Sequence, residues 1–258
     1  MMRPRPVSAP QPDGDLDPAT SDTGKRLALD ELIVEPDAWP TIVGWLDAAD
    51  GAQALPASPD RAAETLAALQ VTTRSVLGSI ALHAAGLVAA HGWLRHLGCG
   101  GPDAGDGLRE WNASLGGVPL DPPLDGALVV ALDALGGIFA INGGGLPADL
   151  GLMLCFAPDT QKWMPLEMRH SAFVQWSLSP QGEQFYADQQ WFGWRDEVGQ
   201  MRAGQVMSFY PPLGLETTSL DERSRRVVPG REMWYFLNEL SRQTAGLPDG
   251  SQIRVAFE

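Results

Sequence analysis

The chain has 258 residues, 44% of them hydrophobic and nine of them tryptophan, enough to fill the core of one large domain. Thirty-two acidic against eighteen basic residues give a net charge of −14, which repels nucleic-acid phosphates and anionic membrane surfaces and argues against both as partners. Two cysteines, Cys99 and Cys155, are too few for a disulfide framework, and no uninterrupted apolar run reaches membrane-spanning length.

The opening stretch, MMRPRPVSAPQPDG, lacks the apolar segment of a secretory signal, so a cytoplasmic location is expected. Residues 1–26 mix proline with Asp, Ser and Thr and hold almost nothing to bury, which predicts a disordered tail before a single domain over 27–258. In DELIVEPDAWPTIVGWLDAA, Trp39, Ile42, Val43, Trp45 and Leu46 recur at helical spacing, with Pro40 near the first turn. SPDRAAETLAALQ predicts a second helix, with Ser58 as N-cap and Pro59 in the first position.

From Val71 to Gly98 the short apolar runs SIALHAAG, LVAAHG and WLRHLG predict strands. The loop GCGGPDAGDG and a short helix in DGLREWNASL lead to a second strand group, GALVVAL, GGIFAING and LGLMLCFAP. Connections this short allow an antiparallel meander and no parallel crossover. After Pro158 the helical period is expected to return, through HSAFVQWSLS and through EQFYADQQWFGWRDEVGQM with Phe185, Gln189, Phe192 and Val198 on one stripe. VMSFYPPL reads as loop or edge strand. Ser219 to Glu222 reads as a capping box, REMWYFLNELSRQT as a closing helix and QIRVAF as a last strand. The fold class expected from this order is α+β, an antiparallel or mixed sheet packed by helices.

Few stretches of the chain carry a chemical motif. No G-x-S-x-G surrounds a serine, no GK[ST] follows a glycine-rich loop, and no G-x-G-x-x-G opens a helix after a strand. His83 and His91 could meet across a hairpin near Gly86, but strand histidines are more often packed than ligating, and no metal or cofactor is expected. In HGWLRHLG a strand alternation would put His91, Trp93 and Arg95 on one face and Leu94 and His96 on the other. His91, Trp93, Arg95, Asn142 and Asp159 are therefore the candidate binding positions. Asp133 and Asp159 are the candidate catalytic carboxylates, although each has the plainer reading of a turn residue.

Several words occur together in order: QVTTRS at 70–75, HGWLRHLG at 91–98, LGGIFAINGG at 135–144, FAPDT at 156–160, FVQW, Trp191, Trp194, SFYPPL and REMWY. In these the chain resembles the bacterial domain of unknown function family 2625 over most of 28–245. It differs at Ala90, at Leu132 and at Gln161 to Met164, where that family carries more acidic residues. The succession of strand, glycine turn and FAIN strand is also similar to the SUKH superfamily of immunity and interaction domains. This second resemblance implies a mixed sheet and a role in binding a toxin or another protein. The expected function is thus a non-enzymatic binding module offering an acidic surface to a basic protein, with a carboxylate-dependent hydrolase and a structural homo-oligomer as alternatives.

Overall fold

A computed structural model of the chain describes residues 26–246 except 103 and 216–218. All but Arg26 of the expected tail, and the expected strand QIRVAF, lie outside these residues. The fold is α+β, built on a seven-stranded sheet: β1 (Gln53–Pro56), β2 (Ala84–Ala89), β3 (Leu94–Leu97), β4 (Ala127–Asp133), β5 (Ile138–Asn142), β6 (Leu152–Ala157) and β7 (Lys162–Arg169). The strands lie in sequence order and every neighbouring pair is antiparallel. Each strand reverses into the next, so the turns after β2, β4 and β6 gather at one end of the sheet.

Helices cover both faces. α1 (Leu29–Leu32), α2 (Trp39–Ala48), α3 (Pro59–Leu69) and α4 (Val76–His83) come from the N-terminal third, and α5 (Leu108–Trp111) follows β3. α6 (His170–Ser177), α7 (Pro180–Phe185) and α8 (Trp194–Gly199) follow β7; a ribbon of β8 (Gln205–Tyr210) and β9 (Ser224–Pro229) and then α9 (Gly230–Thr244) complete the chain. Arg95 and His96 are neighbours on β3 and so leave the sheet on opposite sides. His96 meets Ser177 and Phe173 of α6, and Arg95 meets the carbonyls that end α8. The ribbon docks through Met207 N–H, which donates to Ala134 C=O at 2.7 Å. α9 packs the stripe Met233, Trp234, Leu237 and Leu240, whose spacing is that of one helical face.

Four segments depart from the sequence reading. SIALH is helix α4 and not strand: Ser75 accepts from Gly78 N–H at 3.0 Å and starts a short helix whose two polar residues, Ser79 and His83, both turn to Asp37. Residues 162–169 are strand β7 and not helix; Pro165 is tolerated because β7 lies at the sheet edge. The single helix expected across 183–201 breaks into α7, a 3₁₀ turn at 187–189 and α8, leaving Phe192 90% exposed instead of packed on a stripe. Ser58 and Ser219 stand at the N-cap positions of α3 and of a 3₁₀ turn, but neither side chain makes a capping bond.

Strand β3 is short, and a side chain extends it. Beyond His96, which pairs with Ala131, the edge of β4 is met by buried Asn112: its amide donates to Val129 C=O at 2.9 Å and to Leu108 C=O, and its oxygen accepts from Val129 N–H at 2.7 Å. Asn112→Ala strands both buried backbone groups of Val129 and is expected to lower unfolding stability by about 2–4 kcal/mol in urea denaturation. A loss under about 1 kcal/mol would contradict this role.

Candidate functional site

The turn between β2 and β3 holds an unusual backbone, three successive residues in the left-handed region. Ala90, His91 and Gly92 all have positive φ, at 48°, 56° and 95°. Only glycine adopts this region freely, so Ala90 and His91 each cost about 1–2 kcal/mol. The surroundings hold the turn: His91 N–H donates to Gly51 C=O at 3.0 Å, Trp93 N–H to Ala90 C=O at 3.0 Å, and Ala134 N–H to Trp93 C=O at 2.7 Å. The His91 ring lies so close over Gly51 that a side chain there would collide with it.

This turn corrects the expected strand face. Alternation begins only at Leu94, and Trp93 does not share a surface with His91 and Arg95, which both border one cleft. Trp93 is fully buried and packs on Tyr186, Trp191 and Trp194, with ring centroids 5.1–5.7 Å away. His91 lies half-buried beside the turn, with Nε2 3.5 Å from Glu183 Oε1 and 3.6 Å from Asp50 Oδ2. It does not meet His83, which ends α4 and bonds Asp37 at 2.8 Å.

Arg95 is 7% exposed and has no carboxylate partner among the described residues. Its Nε donates to Gly92 C=O at 3.0 Å, while Nη1 and Nη2 donate to Met201 C=O and Val198 C=O. Burial lowers its pKa to about 10, still far above neutrality, so the guanidinium is charged. Beside it opens a cleft of about 510 Å³, bounded by Gly51 to Gln53, by Leu87 and Val88 of β2, by His91, and by Arg195, Gly199 and Met201 to Ala203 across from the sheet. Three arginines, Arg95, Arg195 and Arg202, line this cleft, and no Asp or Glu among the described residues does.

The remaining candidates are bonded to backbone groups of their own turns and loops. Asn142 donates to the carbonyls of Leu146 and Ala148 and accepts from Gly144 and Leu146 N–H, so its amide is spent on the loop between β5 and β6, at the far end of the sheet from His91. Asp133 is buried in the turn after β4, where Oδ1 accepts from Leu135 N–H at 2.9 Å and Gly137 N–H at 2.7 Å. Asp159 is exposed in the turn after β6 and accepts from Thr160 N–H. The two turns are near neighbours, but neither carboxylate lines the cleft.

One pairing was not legible in the sequence. His96 Nε2 lies 2.7 Å from Ser177 Oγ, and Ser177 donates to Val174 C=O, so the imidazole must donate to the hydroxyl. That direction is opposite to the one a base needs when it activates a serine. Both side chains are buried, and burial, with His170 adding to it, pulls His96 down to about 3. The pair ties β3 to α6 in neutral form. The Cys99 thiol is buried as well, and burial pushes it up, away from the reactive thiolate.

Asp133 supplies a pH test. Burial raises its carboxyl to about 6 against the opposing pull of the Gly137 and Leu135 N–H groups, with the Asp159 charge adding to the rise. Its folded pKa stands above its unfolded one, so the folded state favours the protonated form. That contribution is present at low pH and is lost as pH rises from about 4 to about 6. Asp133→Asn keeps an acceptor for both N–H groups and removes the charge. The variant is expected to gain up to about 3 kcal/mol on the unaltered chain between pH 4 and pH 7, read by denaturant unfolding. A difference independent of pH would refute the assignment.

Among the described residues no helix is long and apolar enough to cross a membrane, and no group of three His, Cys, Asp or Glu side chains could hold a metal ion. No solved structure matches the chain. It is 38% identical over 210 residues to the putative uncharacterized protein YbfG of Escherichia coli strain K12, covering 80% of this chain and 93% of that protein. It is 31% identical over 202 residues to an uncharacterized protein of Haemophilus influenzae, covering 77% of this chain and 88% of that one. Residues 29–233 match the family described as protein of unknown function DUF2625, and with these relatives the match places the chain in that family.

Proposed function

We propose that the chain is a non-enzymatic cytoplasmic binding protein, immunity-like in role, that receives a basic protein partner on an acidic exterior. The observation that carries this reading is where the positive charges are spent. Arg61 and Arg225 pair with Glu110 and Glu197. Arg74, Arg223 and Arg231 donate to backbone carbonyls of Glu35, Pro212 and Val118. Asp47, Asp60, Asp125, Asp149, Glu167 and Asp188 remain exposed on separate parts of the surface. The net charge of −14 is thus carried outward, where it steers cationic surfaces and repels anionic ones.

The hydrolase alternative needs two carboxylates converging on one cavity, one as acid and one as base or nucleophile. Asp133 already accepts two backbone N–H groups and Asp159 stands exposed on another turn, so the geometry favours the binding reading.

Affinity purification from native extract at low salt is expected to recover a stoichiometric partner of high isoelectric point. Raising ionic strength from about 50 to about 500 mM, which shortens the screening length severalfold, should release it. Recovery of no partner, or of one held equally well in high salt, would sink the reading.

A further inference from the structure

The cleft beside Arg95 runs against the electrostatics of the rest of the molecule. A chain with a net charge of −14 repels anions at long range, yet this cavity is lined by Arg95, Arg195 and Arg202 and by no carboxylate of the described residues. Arg195 is shared with Glu183 at 3.3 Å, and the Arg202 side chain donates to Pro102 C=O at 3.2 Å and pairs with no carboxylate among the described residues. Arg95 uses three of its five N–H groups on carbonyls, which leaves one on each terminal nitrogen. A buried guanidinium satisfied only by neutral carbonyls keeps its full charge, and a low-dielectric wall strengthens its attraction for a counter-ion.

The left-handed turn is a second, independent sign. Ala90 and His91 hold strained backbone at the edge of this cavity, and strain of that kind persists where the surrounding structure over-determines it, as ligand sites often do. It sets Gly92 C=O against Arg95 Nε and stands the His91 ring beside the opening, where Gly51 leaves room for it. Leu55, Leu87 and Met201 add apolar wall, and about 510 Å³ is the size of a metabolite-scale pocket.

We propose that this cleft binds a small organic anion, its carboxylate or phosphate group held by Arg95 and Arg202 and its apolar part set against Leu55, Leu87 and Met201. The proposal does not rest on the partner reading, because the chain alone is sufficient for binding.

Calorimetric titration of the purified full-length chain at low salt tests it, with hexanoate and phenyl phosphate as anionic probes and hexanamide as the neutral control. At least one anion is expected to bind one to one with a dissociation constant below about 1 mM, at least about tenfold tighter than hexanamide, and to raise the unfolding temperature. The ratio between the two anions separates a carboxylate site from a phosphate site. Arg202→Glu, on an exposed residue, should weaken binding about tenfold or more. Arg95→Met should abolish it, and if that variant does not fold the Arg202 result decides. Dissociation constants above about 1 mM for both anions, equal binding of hexanamide, or unchanged binding by Arg202→Glu would overturn the proposal.

Discussion

A buried guanidinium must be satisfied where it stands, and Arg95 is satisfied by three backbone carbonyls drawn from two distant parts of the chain. Gly92 C=O is local; Val198 and Met201 C=O come from the end of α8 and the segment after it, about a hundred residues away. Leaving such a charge without partners costs several kcal/mol, so β3 and α8 are held together by the need to avoid that cost. The position of α8 then fixes Trp194, whose ring packs against Trp93 and against His91. The aromatic cluster under the turn and the cleft above it are two consequences of one placement.

The turn at 90–92 depends on the same arrangement. Two non-glycine residues at positive φ are unfavourable in isolation. They persist because bonds to Gly51, Ala90 and Ala134 and the burial of Trp93 fix the chain on either side. Strain here is therefore offset by packing elsewhere, and its product is a wall of the one cleft described. By contrast, the carboxylates of Asp133 and Asp159, one and two turns further across the sheet, are engaged with local backbone N–H groups in their turns.

The antiparallel meander was legible because GALVVAL, GGIFAING and LGLMLCFAP are separated by turns too short for anything else. Helix α4 was not, because a run as short and as largely apolar as SIALH reads equally well as a buried strand, and the Asp37 that Ser79 and His83 both meet is about forty residues away in sequence. Strand β7 was hidden by Pro165, which an edge position tolerates but sequence cannot locate at an edge. His91 and Arg95 could be named as candidates from their local pattern. The cleft could not, since its opposite wall at 195–203 is brought in by tertiary packing and carries no matching motif. Ser177 had a weak signal: it lies four residues after Phe173 and three after Val174, on the face that α6 buries. Its partner His96 was out of reach of any spacing rule.

The charge distribution joins these observations. Among the described residues most arginines are turned to carboxylates or carbonyls, many carboxylates stay exposed, and three of the arginines come together at a cleft that no described carboxylate lines. The claim on which this depends is that Arg95 is a clamped, charged group. Nitrogen-15 NMR of the arginine side chains tests it most directly. A clamped guanidinium should give a slowly exchanging Nε–H at neutral pH and separate signals for its two terminal nitrogens, in contrast to exposed Arg242. Averaged terminal signals and solvent exchange as fast as that of Arg242 would contradict the account.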